Sequence, residues 1–126
     1  MKRLALILML AIHDPSWAGW TPVADEGNAT LYADAASREP GTGTVRMLWV
    51  LDYHAFQRMV EVGYHSRRTV SEFDCTQSRW RAIDLSLRAE HMGEGTAVYA
   101  DTSPHDWEAI DPGSRGDLLR AVACRR

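Results

Sequence analysis

Glu72-Phe73-Asp74-Cys75 is the stretch on which the reading of this chain turns. It closes a segment, Tyr64 to Cys75, in which Thr69, Val70 and Phe73 favour strand over helix. It ends on one of only two cysteines; the other, Cys124, lies two residues from the last position. If the two sulfurs are joined, a loop of roughly 50 residues closes and the C-terminal segment is stapled to the middle of the sheet.

The compartment bears on whether they join. Lys2-Arg3 is a short basic region, Leu4 to Ile12 an apolar run, and Ser16-Trp17-Ala18 a small-x-small site before Gly19. That pattern is a secretory signal peptide over residues 1–18, leaving one domain over 19–126; the alternative is a buried N-terminal strand or helix. No second apolar stretch has spanning length, so no membrane span is expected and the mature protein is read as soluble or peripherally attached. Two cysteines in an oxidising compartment pair with each other by default; two separate buried thiols are the alternative.

Beyond residue 18 the chain holds 12 Arg, no Lys and 16 Asp plus Glu. A mildly acidic domain argues against a nucleic-acid partner, whose phosphates need a basic stripe.

Working outward along the chain, Trp20–Ala24 and Ala29–Asp34 read as a first hairpin across the turn Asp25–Asn28, with Pro22 confining the first strand to an edge. Ser37–Gly43 reads as an irregular connection. Thr44–His54 is the clearest strand: Val45, Met47, Trp49, Leu51 and Tyr53 share one face, and Leu48 and Val50 make the other apolar as well, as a central strand covered on both sides requires. Ala55–Gly63 is ambiguous between a loop and one helical turn. Arg79–Ala89 alternates, with Ile83, Leu85, Leu87 and Ala89 inward and Trp80, Asp84, Ser86 and Arg88 outward. Met92–Gly95 is a glycine turn, Thr96–Ala100 a sixth short strand, and Asp101–Asp111 a polar connection around Trp107. Ser114 is a good helix N-cap, Asp117 gives a short-armed capping box, and Leu118 to Cys124 supply a mostly apolar segment of about three turns. The layout is α+β: a six-stranded antiparallel sheet with one C-terminal helix on one face.

Chemistry is sparse. His54, His65, His91 and His105 form no metal-ligand spacing, and their expected place is on surface loops. His91 and His105 could meet Asp101 or Asp106 only through loose spacing. There is no nucleophile elbow, no third glycine to make Gly93-x-Gly95 a dinucleotide loop, and no carboxylate pair among the dispersed Asp74, Asp84 and Asp101. The expectation is therefore no enzyme: no catalytic residues, no metal and no cofactor.

Five tryptophans and four tyrosines invite a binding reading, because aromatics and arginine are enriched where proteins meet. Trp49, Tyr53, Arg67, Trp80 and Trp107 make the candidate binding surface. The competing reading puts Trp49 and Tyr53 in the core, with Trp20 and Trp107 as lids over sheet edges. Arg67-Arg68 and Arg79-x-Arg81 are ordinary solvated strand faces unless they face the same way, when they could hold an acidic segment.

From Trp20 to Cys124 the chain resembles the surface-adhesin protein E family, small exported bacterial domains. The resemblance rests on Trp20, Tyr32-Ala33-Asp34 with Ser37, and Tyr64-x-Ser66. It continues through Phe73-Asp74-Cys75, Met92-Gly93-x-Gly95, Trp107-x-x-Ile110-x-Pro112-Gly113-Ser114 and Cys124. It implies a six-stranded antiparallel sheet with the C-terminal helix tethered to its concave side by a Cys75–Cys124 disulfide. It also implies adhesion to host proteins such as laminin, vitronectin and plasminogen. Display in the periplasm or on the outer surface of a Gram-negative bacterium follows from the same resemblance; no cysteine stands at the cleavage point to carry a lipid anchor. The alternative is a periplasmic small-ligand-binding or envelope-maintenance domain.

Overall fold

The computed structural model describes residues 19–125, so the signal-peptide reading of 1–18 lies outside the described residues. Six strands follow one another across the sheet in chain order, each antiparallel to the last: β1 (Thr21–Asp25), β2 (Ala29–Pro40), β3 (Thr44–Met59), β4 (Val62–Asp74), β5 (Arg79–Arg88) and β6 (Ala97–Asp101). A two-residue β7 (Glu108–Ala109) pairs with the start of β5, and the helix α1 (Arg115–Ala123) ends the chain. This is the α+β layout that the alternation of apolar residues called for.

Helix α1 packs on β1, β2 and β3. Between them lies the core, with Ala29, Leu31 and Ala33 from β2, Met47, Trp49 and Leu51 from β3, Phe73 from β4, and Leu119 and Ala123 from the helix. The opposite face of β3 is covered too. Val50 is buried there beneath a single 3₁₀ turn at His91–Gly93, where a Cβ on Gly93 would stand 3.1 Å from Val50 Cγ2. Met92, in this turn, adopts φ 59°, a conformation that L residues avoid. Its N–H donates to Asp52 Oδ1 at 2.7 Å, while the N–H of Gly93 donates to Ser66 Oγ at 2.8 Å.

Three expectations are corrected by bulges. Strand β2 does not stop at Asp34 but runs to Pro40, because Ala35–Arg38 bulge out opposite Met47 alone. Ser37 Oγ holds this bulge, accepting from Leu48 N and donating to Asp34 O. Ala55–Gly63 is neither loop nor helical turn: β3 and β4 continue through it, with Tyr53–Phe56 opposite His65 alone and the chain reversing at Val60-Glu61. In β5, an extra residue at Ile83 shifts the register between Val70 and Ser71. Leu85 and Leu87 face the helix side as alternation requires, but before the bulge the parity is reversed and Trp80 turns inward, paired with Phe73.

Glu72–Cys75 is the hub of the fold. Phe73 is fully buried, and Glu72, on the other face, accepts from Arg81 Nε at 2.9 Å and Thr44 Oγ1 at 3.1 Å. The Asp74 carboxylate receives the N–H groups of Thr76 and Gln77, the Thr76 hydroxyl and, at 2.8 Å, Arg79 Nε. Cys75 is bonded to Cys124 across a separation of 49 residues. Beside this clasp, Arg120 Nε donates to the Asp74 carbonyl at 2.9 Å. The helix enters through Ser114, whose Oγ accepts from Asp117 N, while the Asp117 carboxylate reaches back to Gly113 N at 2.8 Å.

C75S and C124S should each lower stability by the same ~2–5 kcal/mol in denaturant titrations, and the double substitution should cost no more than either. Clearly additive losses would mean that the clasp is not the shared cause.

Arg79 first, then the Thr76 hydroxyl and the Thr76 and Gln77 N–H groups hold the Asp74 carboxyl well below the ordinary carboxylate range. The folded state therefore binds that proton less readily than the unfolded chain. The stabilisation is complete above about pH 4 and drains away as pH falls towards the folded value. Asp74→Asn should lower Tm at neutral pH and flatten its fall between about pH 4 and pH 2. Glu26 and Asp101, also shifted down, retain part of the slope. Parallel melting curves for the two proteins would remove Asp74 from this role.

Candidate functional site

Four of the five proposed surface residues converge on the helix-bearing side of the sheet. Cross-strand pairing puts Trp49 of β3, Arg67 of β4 and, through the Ile83 bulge, Trp80 of β5 on one face. Trp49 and Trp80 stack with ring centroids 5.9 Å apart and planes 26° from parallel. Trp49 is 1 % exposed, and its indole N–H donates to Ser71 Oγ at 2.9 Å. It is core, as the competing reading held, yet its ring also carries the guanidinium of Arg67 at 5.7 Å from its centroid. Tyr53 lies on the same face, edge-on to Tyr64 at 5.7 Å.

Trp107 is elsewhere. It sits over the other face, its ring 4.7 Å from the guanidinium carbons of both Arg79 and Arg81. Those two arginines are neutralised by Asp74 and Glu72, and Arg67 and Arg68 point to opposite faces, so no continuous basic patch forms from the two pairs.

On the helix-bearing side, Trp49, Arg67, Ser71 and Trp80 border a cleft of about 150 Å³ that the helix leaves open. Arg81 and Ala82 of β5, with His105, Asp106 and Glu108 from the segment before the helix, complete it. His105 is fixed by its N–H to Ala82 O at 2.8 Å and by its ring to Asp101 Oδ2 at 3.1 Å. His91 does not join it: that ring meets Asp52 at 3.1 Å and packs on His65 at 4.6 Å. His54 and His65 lie on strands rather than loops.

Electrostatically the cleft is asymmetric. Burial pulls the Arg67 guanidinium down, the Tyr53 phenol opposes that, and Arg115 adds to it. Burial and then Tyr64 raise the Tyr53 phenol. Arg115 is held up by its hydrogen bonds to Glu26, at 2.7 and 2.9 Å. Among the described residues no group of His, Cys, Asp and Glu side chains could hold a metal ion.

Sequence reasoning missed a second feature. The last rungs of the β3–β4 hairpin expose Phe56 (53 %), Met59 (39 %) and Val60 (88 %). The Phe56 ring occupies the space above Gly63 where a side chain would stand, and packs edge-on against His65 at 5.1 Å. Leaving Ala55–Gly63 open between a loop and one helical turn hid the strand pairing that would have placed these side chains.

The model of the surface-adhesin protein E family matches residues 20–125. The chain belongs to that family. Solved structures of its fold include protein E from non-typeable Haemophilus influenzae. That structure is 14 % identical with a TM-score of 0.62, the alignment covering 90 % of this chain and 81 % of the other. A second crystal form of Haemophilus influenzae protein E is 16 % identical with a TM-score of 0.69, covering 94 % of this chain and 96 % of the other. None of the curated proteins matches the chain.

The residues that carry the resemblance to the surface-adhesin protein E family fall on structural devices. Asp34 and Ser37 make the β2 bulge, and Phe73-Asp74-Cys75 with Cys124 make the clasp. Met92-Gly93 makes the turn over Val50, and Ile110 to Ser114 lead into the helix. Trp49, Arg67 and Trp80 are not among those residues.

Gly116 ties the helix to the aromatic pair. A Cβ there would stand 2.9 Å from Trp80 Cε2 and 3.1 Å from Cζ2. Alanine normally stabilises a helix interior by about 1 kcal/mol over glycine; here overpacking costs about 1–3 kcal/mol. G116A should therefore lower Tm, and in a Trp80→Leu background it should become neutral or stabilising. A rise in Tm with Trp80 intact would contradict the contact.

Proposed function

We propose that the protein is a non-enzymatic, exported binding protein of a Gram-negative envelope, adhesin-like, that engages protein ligands. The observation that carries this reading is the family match over residues 20–125. The exposed hairpin end supports it by offering Phe56, Met59 and Val60 beside Arg58, an aromatic and aliphatic group of the kind that anchors protein interfaces. Laminin and vitronectin are the ligands proposed on the resemblance. Plasminogen is the weakest of the three, because its capture usually recognises lysine and residues 19–126 contain none. No helix of the described residues is long and apolar enough to cross a membrane, which fits release into the periplasm or display at the surface.

Val60 gives a test that separates binding from folding. Its φ of 56° is strained for a β-branched residue, and its side chain is almost wholly exposed. Val60→Gly should raise stability by about 1 kcal/mol. Together with Phe56→Ala it should weaken capture on immobilised laminin or vitronectin about tenfold or more. A protein confined to the periplasm that ignores both ligands would refute the adhesin reading. Undiminished capture by the double variant would move the contact away from the hairpin.

A further inference from the structure

Two polar atoms at or beside the cleft have no partner: one on Arg67, which borders it, and one on Thr69, which lies on β4 between the bordering Arg67 and Ser71. Arg67 Nε and Thr69 Oγ1 are buried and make no hydrogen bond to any described residue. They belong to alternate residues of β4, so they point to the same face, and Thr69 is only 1 % exposed. Buried donors without partners are costly, and native proteins retain few of them. Of the cations that border the cleft, Arg81 is matched by Glu72 and His105 by Asp101, but among the described residues no ion pair involves Arg67.

We propose that this cleft binds a small organic monocarboxylate, its charged end on Arg67 and its carbon skeleton against Trp80, the half-buried ring that stacks on the buried Trp49. A planar guanidinium fork matches a carboxylate, and a desolvated site strengthens that pairing. The volume of about 150 Å³ is roughly that of five waters, enough for an acid of acetate to benzoate size. Charge selects among anions. Arg81 also borders the cleft but is matched by Glu72, and Asp106 and Glu108 border it as well, so Arg67 is left to receive a single negative charge, whereas a phosphate or a polycarboxylate is repelled. The site is separate from the hairpin end and does not depend on the adhesin reading.

The test is a titration of the exported, ¹⁵N-labelled protein with benzoate, benzamide as its uncharged isostere, and inorganic phosphate, reading the tryptophan indole resonances. Benzoate should shift the Trp49 and Trp80 signals saturably, and the other two should not. Arg67→Gln should weaken benzoate binding tenfold or more. Asp106→Asn, on an exposed side chain, should tighten it roughly twofold to threefold. Phe56→Ala should leave it unchanged, which separates this site from capture of protein ligands. Benzamide binding as well as benzoate, no saturable shift with benzoate in the folded protein, or unaltered affinity in Arg67→Gln would overturn the proposal. Where Arg67→Gln fails to fold, the Asp106→Asn affinity decides, and no tightening there overturns it.

Discussion

The turn after β4 bears a load that no other part of the molecule shares. Asp74 closes that turn with one carboxylate, accepting four donors, and its own carbonyl receives Arg120 from the helix. The next residue, Cys75, is covalently tied to Cys124, just beyond the helix. A nine-residue helix has too few turns to persist alone in water. Here its far end is fixed covalently, and Arg38, aimed by the β2 bulge, donates to the carbonyls of Val122 and Arg125 where the helix ends. Its near end is capped by Ser114 and Asp117. Leu119 and Ala123 are then held against β2 and β3, so the core closes because the helix cannot drift.

What the sequence made legible was whatever depended on local periodicity. Thr44–His54 alternates without interruption, and its two faces are buried as read, one under the helix and one under the His91–Gly93 turn. The helix and its cap were legible because Ser114 and Asp117 are three residues apart. The failures share one cause. A bulge inserts residues that period-two reasoning cannot see, and one inserted residue exchanges the faces of everything on one side of it. Ile83 did this to Trp80, turning it from the expected outward position towards Phe73.

The candidate site was legible in its residue types and illegible in its geometry. Trp49, Arg67 and Trp80 come from three strands, and only the register brings them together. Trp107 carries the same chemical signal and lies on the other face between two arginines, which composition could not distinguish. Thr69 carried no signal at all. A threonine in a strand looks ordinary until its hydroxyl is found buried with nothing to bond.

The residues that carry the family resemblance and those proposed to face ligands are different, and this division has a physical basis. Clasp, bulge, αL turn and helix entry each satisfy backbone groups or fix a register, so a substitution there propagates through the whole sheet. A hairpin end or a cleft wall touches solvent and few neighbours, and it changes at little cost to stability. Identity near 15 % with retained architecture is what such a division allows. The fold can pass intact between proteins that bind different things. On the two proposals made above, specificity in this chain belongs to Phe56 and Val60 or to the surroundings of Arg67, where the sheet tolerates change, rather than to the residues by which its kinship is recognised.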